Sequence, residues 1–147
     1  MQRVSRASVS VDGAVVSSIE AGMCLLVGIE PEDGEGEVFA AVQKIVGLRI
    51  FGDETGKMNL SIGDVGGELL VVSQFTLAGD VRKGRRPSFT GAAPPEHAEP
   101  LIGAMVEAFE QAGIRTRTGV FGARMSVEIA NDGPVTLVMT VRDGRVW

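Results

Sequence analysis

The sequence predicts a single α+β domain over residues 1–147, mainly β, with two main helices and a sheet of antiparallel or mixed strands. A length of 147 residues fits one domain, and a composition of 44% hydrophobic and 22% charged residues is typical of a globular protein. Short apolar runs bounded by Gly and Asp alternate with two stretches of helical periodicity, and no repeat or low-complexity tract divides the chain.

Turn residues and hydrophobic periodicity divide the first half of the chain into strands and one helix. Asp12-Gly13 between alternating valines is typical of a type I′ hairpin. Apolar residues from Val38 to Val46 recur at helical spacing and predict a helix that ends near Gly47. The other predicted elements are a buried strand at Met23 to Gly28, an acidic turn at Pro31 to Gly36, a strand at Leu48 to Phe51 and a turn at Asp53 to Gly56.

The second half contains the clearest strand of the chain, Glu68 to Leu77, followed by a polar loop, Gly79 to Gly91, which we call the basic loop. Pro94 and Pro95 suit the entry of a second helix, whose apolar face ends at Gly113. Three further strands are predicted at about 115–118, 125–129 and 135–141.

Composition restricts the class of protein. The single cysteine, Cys24, lies in an apolar run, which predicts a buried structural thiol and excludes an intrachain disulfide. No apolar run approaches the ~20 residues of a membrane span and no secretory signal is evident, so we expect a cytoplasmic protein without a membrane partner. With one His and one Cys we expect no metal site and no cofactor.

One basic stretch interrupts an acidic chain of net charge −5. The acidic average argues against indiscriminate nucleic-acid binding, and we expect no DNA partner. A local phosphate-binding face for RNA is still compatible with it, as is a solvated loop, and composition does not separate the two. The basic residues are Arg82, Lys83, Arg85 and Arg86.

The SQFTL segment, Ser73 to Leu77, continues the apolar strand with polar side chains. On a strand, Gln74 and Thr76 would face one side of the sheet, and the other three side chains would face the opposite side. Burying such groups without partners costs ~1–3 kcal/mol each. Either neighbouring strands bond to them, or hydroxyl and backbone N–H groups are left for a ligand.

The NDGPVT segment, Asn131 to Thr136, is a second polar stretch. Its turn-forming residues also fit a simple hairpin connection. Pro134 cannot donate a ladder hydrogen bond, so it belongs at the edge or start of a strand. Most X–Pro bonds are trans, and the residues alone therefore predict a trans Gly133–Pro134 bond.

The SQFTL and NDGPVT segments, in this order, resemble the two signature motifs of the D-aminoacyl-tRNA deacylase family. The resemblance covers nearly the whole chain and implies the barrel-like fold of that family. The further matching stretches are Gln2-Arg3-Val4, Arg6 to Val9, Arg49-Ile50-Phe51, Gly56 to Leu60, Arg86 to Phe89 and Thr118 to Ala123.

The resemblance implies a homodimeric hydrolase that releases a D-amino acid, or glycine mischarged on tRNA-Ala, from the 3′-terminal adenosine of aminoacyl-tRNA. It implies a cis Gly133–Pro134 bond that projects into the pocket of the partner subunit and rejects L side chains sterically. Val135 and Thr136 belong to the same motif, and Arg3 stands where the family has an arginine that braces it.

The resemblance places catalysis at Ser73, Gln74, Phe75 and Thr76 and implies that the ribose 2′-hydroxyl of the tRNA assists the attack. Backbone N–H groups near Phe75 and Thr76 can stabilise the oxyanion. The Phe75 ring would pack on the terminal adenine or belong to the core. His97 is expected to be a solvated residue at the helix entry rather than a member of a triad.

Two other functions stay open from the residues. Thr76 or Ser73 could act as a covalent nucleophile of a hydrolase for small esters or amides. The chain could also be a non-catalytic RNA-binding module.

Overall fold

The computed structural model, which describes residues 1–147, contains a mixed six-stranded sheet and two α-helices, and so confirms the predicted fold class. Neither helix has the length and apolarity that crossing a membrane requires. The strands are β1 (Gln2–Val11), β2 (Ala14–Ile19), β3 (Gly22–Val27), β4 (Phe51–Gly52), β5 (Met58–Leu60), β6 (Glu68–Ser73), β7 (Thr116–Thr118), β8 (Ser126–Thr136), β9 (Val141–Arg142) and β10 (Arg145–Val146), and the helices are α1 (Glu35–Gly47) and α2 (Pro95–Gln111).

The sheet has the order β2-β1-β3-β6-β7, and β8 pairs with the other edge of β1. The pairs β3·β6 and β6·β7 are parallel, whereas the pairs made by β1 are antiparallel. Parallel strands are normally covered on both faces, which explains why β3 and β6 are continuous apolar runs. The C-terminal ends of β3, β6 and β8 therefore lie at one end of the sheet.

Two hydrophobic clusters cover the two faces of the central strands. Met23, Leu25, Leu69 and Val71 pack with α1 and α2 in the larger cluster. The intervening residues of β3 and β6 belong to a second cluster, against which side chains of β8 pack. Because β8 lies beyond β1 in the strand order yet reaches the face of β6, the sheet is curled. Ser17 Oγ also donates to Thr118 O at 2.7 Å, which links β2 to β7 and completes the barrel-like shape.

Local chemistry accounts for the predicted turns and helix ends. Asp12 and Gly13 both have positive φ, 50° and 80°, as a type I′ hairpin requires. The Glu37 carboxylate accepts from Gly34 N–H at 2.9 Å and so caps the start of α1. Helix α2 begins at Pro95, where a missing N–H costs nothing.

Four predicted strands differ from the structure. The strand predicted to reach Leu77 ends at Ser73, and a short 3₁₀ helix, Phe75–Ala78, follows it, so the predicted alternation of SQFTL side chains is wrong. The strands predicted at 125–129 and 135–141 are replaced by the continuous β8, and Val138 beyond it is 93% exposed. Of the strand predicted at Leu48 to Phe51, only β4 forms, starting at Phe51.

Candidate active site

The SQFTL segment turns away from the sheet as soon as β6 ends. Gln74 N–H donates to Val27 O at 2.7 Å, and Leu77 N–H then donates to Gln74 O at 3.2 Å. This is the first i→i−3 bond of the 3₁₀ helix, so the N–H groups of Phe75 and Thr76 are not used in its ladder. Both residues are exposed. Two adjacent backbone donors thus have no backbone partner, beside the polar side chains of the segment.

Gly28 allows this turn to lie directly on the end of β3. A Cβ atom at position 28 would lie 3.2 Å from Gln74 O and 3.2 Å from Leu77 Cβ. Both distances are shorter than an ordinary van der Waals contact of a Cβ atom, so a side chain at position 28 would push the turn away from β3 by a few tenths of an ångström. A glycine outside the motif therefore lets the turn that carries the N–H groups of Phe75 and Thr76 pack closely on β3.

The Thr76 hydroxyl has an amide for a neighbour and no base. Gln74 Nε2 donates to Thr76 Oγ1, so the hydroxyl acts as acceptor there and keeps its own proton for another group. His97 is engaged elsewhere, since its Nε2 lies 2.8 Å from Asp33 O. A carbonyl only accepts, so Nε2 carries the proton. His97 is half-buried between the entry of α2 and the acidic turn, and the prediction of a solvated histidine is wrong.

Exposed apolar side chains surround the 3₁₀ helix. Phe75 and Leu77 are 55% and 59% exposed, and the Phe75 ring meets the Phe89 ring edge to face at 5.3 Å. A cavity of about 260 Å³ adjoins Leu77 and is lined mainly by apolar residues of β3, α1 and residues 138–141. Large apolar side chains grouped at a polar turn are typical of a surface that another molecule covers.

The NDGPVT segment forms a bulge in β8. Gln2 pairs with Thr136 and Val4 pairs with Asn131, so the one residue between them on β1, Arg3, faces four residues, 132–135, on β8. The Gly133–Pro134 bond within the bulge is cis, as the family resemblance implies and contrary to the base rate. Asp132, Gly133 and Pro134 are exposed, and β8 is an edge strand, as predicted for Pro134.

Arg3 holds this bulge against the body of the protein. Its Nε lies 3.0 Å from Asp132 Oδ2 and 3.3 Å from Asp132 O, and its Nη1 donates to Ile50 O at 2.5 Å. The Arg3 side chain is only 15% exposed. Gly133 has φ +120°, and a Cβ there would lie 2.9 Å from Arg3 Nη2. The guanidinium therefore occupies the space beneath Gly133 and connects the bulge to Ile50.

Two further residues, Asn131 and Gln2, contact the bulge and were not predicted as site residues. Asn131 Nδ2 donates to Thr136 Oγ1 at 2.8 Å, and Asn131 Oδ1 accepts from Val135 N–H at 3.1 Å. Gln2 Nε2 donates to Thr136 Oγ1 at 3.3 Å. Both residues belong to matching stretches of the sequence, but their contacts depend on the bulge and could not be inferred before it was known.

The two polar segments lie at the same end of the sheet but apart from each other. From β6 to β8 the sheet steps across β3 and β1. Counted along the sheet, three interstrand spacings of ~4.8 Å give a path of about 14 Å between the strands that carry them. Within one chain, no hydrogen bond or ion pair joins the SQFTL segment to the NDGPVT segment.

The basic loop contains three free cations rather than four. Arg82 Nε and Nη2 lie 2.9 Å and 2.7 Å from the Asp80 carboxylate, which holds the pKa of Asp80 below its usual value and raises that of Arg82. Lys83, Arg85 and Arg86 are exposed and form no ion pair. Backbone bonds of 2.7 Å and 2.9 Å between Asp80 and Ser88 close the loop.

The remaining reactive side chains are not arranged as a catalytic or metal centre. Cys24 is 1% exposed, and burial raises its pKa to about 11, as expected of a structural thiol. No group of three His, Cys, Asp or Glu side chains is arranged to hold a metal ion.

Comparisons with a family profile and with individual relatives identify the same family of deacylases. The profile of the D-Tyr-tRNA(Tyr) deacylase family matches residues 1–140. A D-aminoacyl-tRNA deacylase of Desulfatibacillum aliphaticivorans is 58% identical over 139 residues, which is 95% of each chain. A D-aminoacyl-tRNA deacylase of Geobacillus sp. (strain WCH70) is 55% identical over 97% of this chain and 94% of the relative.

Two solved structures share the fold. One, named c-Myc DNA Unwinding Element Binding Protein, is 46% identical with a TM-score of 0.86 and covers 92% of this chain and 93% of its own. The other, described as a probable eukaryotic D-amino acid tRNA deacylase, is 16% identical with a TM-score of 0.79 over 90% of this chain and 92% of its own. The second match bears on the fold alone.

Proposed function

This chain belongs to the D-Tyr-tRNA(Tyr) deacylase family and is a hydrolase of D-aminoacyl-tRNA, and on that premise we propose that a second subunit completes its active site. The observation that carries the proposal is the exposed bulge at residues 132–135, which lies at the same end of the sheet as the SQFTL segment but forms no hydrogen bond with it in the same chain. In a homodimer, the bulge of one subunit would enter the pocket of the other. The exposed Phe75 and Leu77 side chains would then be covered.

The bulge would select the substrate by rejection. Backbone carbonyls of Gly133 and Pro134 would form a rigid wall without a side chain that could move aside, because Arg3 holds the bulge through Asp132. An L side chain would collide with this wall, whereas a D side chain would point away from it. Glycine has no side chain to collide, so glycyl-tRNA mischarged on tRNA-Ala should also be a substrate.

The hydrolytic step would rely on the tRNA for its reactive hydroxyl. The 2′-hydroxyl of the terminal ribose would assist water in attacking the ester carbonyl. The N–H groups of Phe75 and Thr76 would stabilise the oxyanion. Collapse of the intermediate would break the bond to the 3′-oxygen, which takes up a proton, and release the amino acid and tRNA. The lack of a base beside Thr76 supports this route over a covalent one.

Two tRNA substrates and one variant of the protein distinguish the RNA-assisted route from a covalent route through Thr76. Thr76→Ala should retain turnover of D-aminoacyl-tRNA, whereas the unmodified protein should lose turnover on tRNA that ends in 2′-deoxyadenosine. If the Thr76→Ala variant binds charged tRNA but releases no amino acid, Thr76 is the nucleophile and the RNA-assisted route is wrong.

The phosphates of the acceptor end would contact Lys83, Arg85 and Arg86, because Arg82 is already paired with Asp80. Charged tRNA is the substrate of translation, so we expect the protein to act in the cytoplasm. One structural relative carries the name of a DNA-binding protein. Competition between duplex DNA and charged tRNA decides whether the basic loop also binds DNA, and we expect no competition at physiological salt.

Subunit mixing tests whether the bulge acts in the partner. Variant A carries Phe75→Pro, which removes one of the two N–H groups proposed to stabilise the oxyanion, and is first verified to be inactive. Variant B, Gly133→Ala, should hydrolyse L-aminoacyl-tRNA because the added methyl group displaces Arg3 and the bulge. Excess A places each B subunit in a mixed dimer, where the active SQFTL segment of B meets the intact bulge of A. L-hydrolysis should then disappear while D-hydrolysis remains; L-hydrolysis that persists unchanged would contradict a cross-subunit site.

A further inference from the structure

The bulge at residues 132–135 has two supports, and they act at different points. Arg3 lies under Asp132 and Gly133, at the middle of the bulge. The Asn131 side chain instead spans its neck, because it contacts Thr136 Oγ1 and Val135 N–H across the residues that protrude. A loop anchored at its middle alone can still pivot about its two ends. Both ends pair with β1, and the Asn131 contacts also tie them directly to each other.

The orientation of the Asn131 amide is determined by its partners. Val135 N–H can only donate, so the atom 3.1 Å from it must be the amide oxygen. The amide nitrogen then faces Thr136 Oγ1 at 2.8 Å. Thr136 Oγ1 also accepts from Gln2 Nε2 at 3.3 Å, which ties the neck to β1. The resulting chain, Gln2 to Thr136 to Asn131 to Val135, replaces the ladder bonds that the bulge removes from this part of β8.

We propose that Asn131 is a positioning residue for stereoselectivity: its side-chain amide clamps the neck of the bulge and keeps Gly133 and Pro134 in the one placement that excludes L substrates. This inference rests on the proposed function of the bulge. Asn131 touches no reacting atom in this scheme. Its loss should therefore change the ratio of kcat/KM for matched D- and L-aminoacyl-tRNA more than it changes kcat on the D substrate.

Two substitutions at Asn131 keep the approximate size of the side chain and differ in the hydrogen bonds that they allow. Asn131→Leu has nearly the same shape and loses both bonds, so the D:L ratio should fall by about tenfold while D turnover stays within about threefold. Asn131→Asp keeps the acceptor for Val135 N–H, and the Thr136 hydroxyl can rotate to donate to the carboxylate. It should restore the ratio to within about threefold of the unmodified protein. Thermal unfolding of each variant verifies that it is folded.

An unchanged D:L ratio in Asn131→Leu would overturn the proposal, as would equal losses in Asn131→Leu and Asn131→Asp. If Asn131→Leu does not fold, Thr136→Val takes its place; it should lower the ratio by about threefold, and an unchanged ratio would again overturn the proposal. Gly133→Ala is measured alongside. If it loses selectivity and the Asn131 variants do not, only this inference fails. If Gly133→Ala also keeps its selectivity, the proposed role of the bulge fails with it.

Discussion

Replacing Arg3 with alanine removes three contacts that hold the bulge at residues 132–135. The bond from Nη1 to Ile50 O, at 2.5 Å, is the strongest, because the donor is charged and Ile50 is buried. Such a bond contributes about 1.5–3 kcal/mol. The ion pair with Asp132 adds less, about 0.5–1 kcal/mol, because that carboxylate is 56% exposed. Together these contacts predict a loss of about 2–4 kcal/mol in the free energy of unfolding.

The same substitution should impair stereoselectivity, because the bulge loses the group beneath Gly133. If the bulge loses even ~1.4 kcal/mol of restraint relative to displaced conformations, the D:L ratio of kcat/KM falls about tenfold. Urea unfolding at one fixed protein concentration measures the stability, and deacylation of matched D- and L-aminoacyl-tRNA measures the ratio.

Arg6→Ala is a suitable control for Arg3→Ala. Arg6 lies on the same strand, is exposed and forms no ion pair, so its loss should change the stability by less than about 0.5 kcal/mol and leave the ratio unaltered. The reasoning about Arg3 is refuted if Arg3→Ala matches Arg6→Ala in both measurements.

Further substitutions test the turn, the core and the basic loop. Gly28→Ala adds a methyl group 3.2 Å from Gln74 O and should lower turnover of the D substrate about tenfold. Gly47→Ala is the control, because a methyl group there meets nothing within 4 Å and should leave turnover unchanged. Equal turnover in both variants would contradict the role of the close approach at Gly28. Cys24 has its pKa raised to about 11 by burial, so the native protein should resist iodoacetamide at pH ~8 and react only when unfolded, and rapid native labelling would disprove burial. Neutralising Lys83, Arg85 or Arg86 should reduce the slope of the logarithm of the tRNA-binding constant against the logarithm of salt concentration by about 0.7–0.9. Arg82→Ala should change this slope less, because Arg82 is paired with Asp80. Equal changes in all four variants would count against that pairing.

The local elements could be predicted from the sequence because their causes are local. Asp12-Gly13 requires positive φ at both positions, and the apolar spacing of α1 is visible within thirteen residues. The end of β6 was missed because Phe75 and Leu77 extend an apolar pattern that normally indicates a buried strand. They are instead exposed on a 3₁₀ helix, and nothing local distinguishes a side chain reserved for another molecule from one reserved for the core.

The bulge in β8 could not be predicted because it depends on contacts between distant parts of the chain. The turn formers from Asn131 to Pro134 have the composition of a hairpin connection, but β8 continues through them because β1 pairs on both sides. The bulge is supported by Arg3, which is 129 residues from Asp132 in the sequence. The resemblance to a known family predicted the cis bond and the role of Arg3, whereas the contacts of Asn131 needed the structure.

Deacylation of matched D- and L-tyrosyl-tRNA by the purified protein is the most direct measurement of whether the site selects by chirality. A bulge that excludes L side chains predicts rapid release of D-tyrosine and no release of L-tyrosine above the uncatalysed rate. Equal rates on the two substrates would contradict selection by the Gly133–Pro134 bulge.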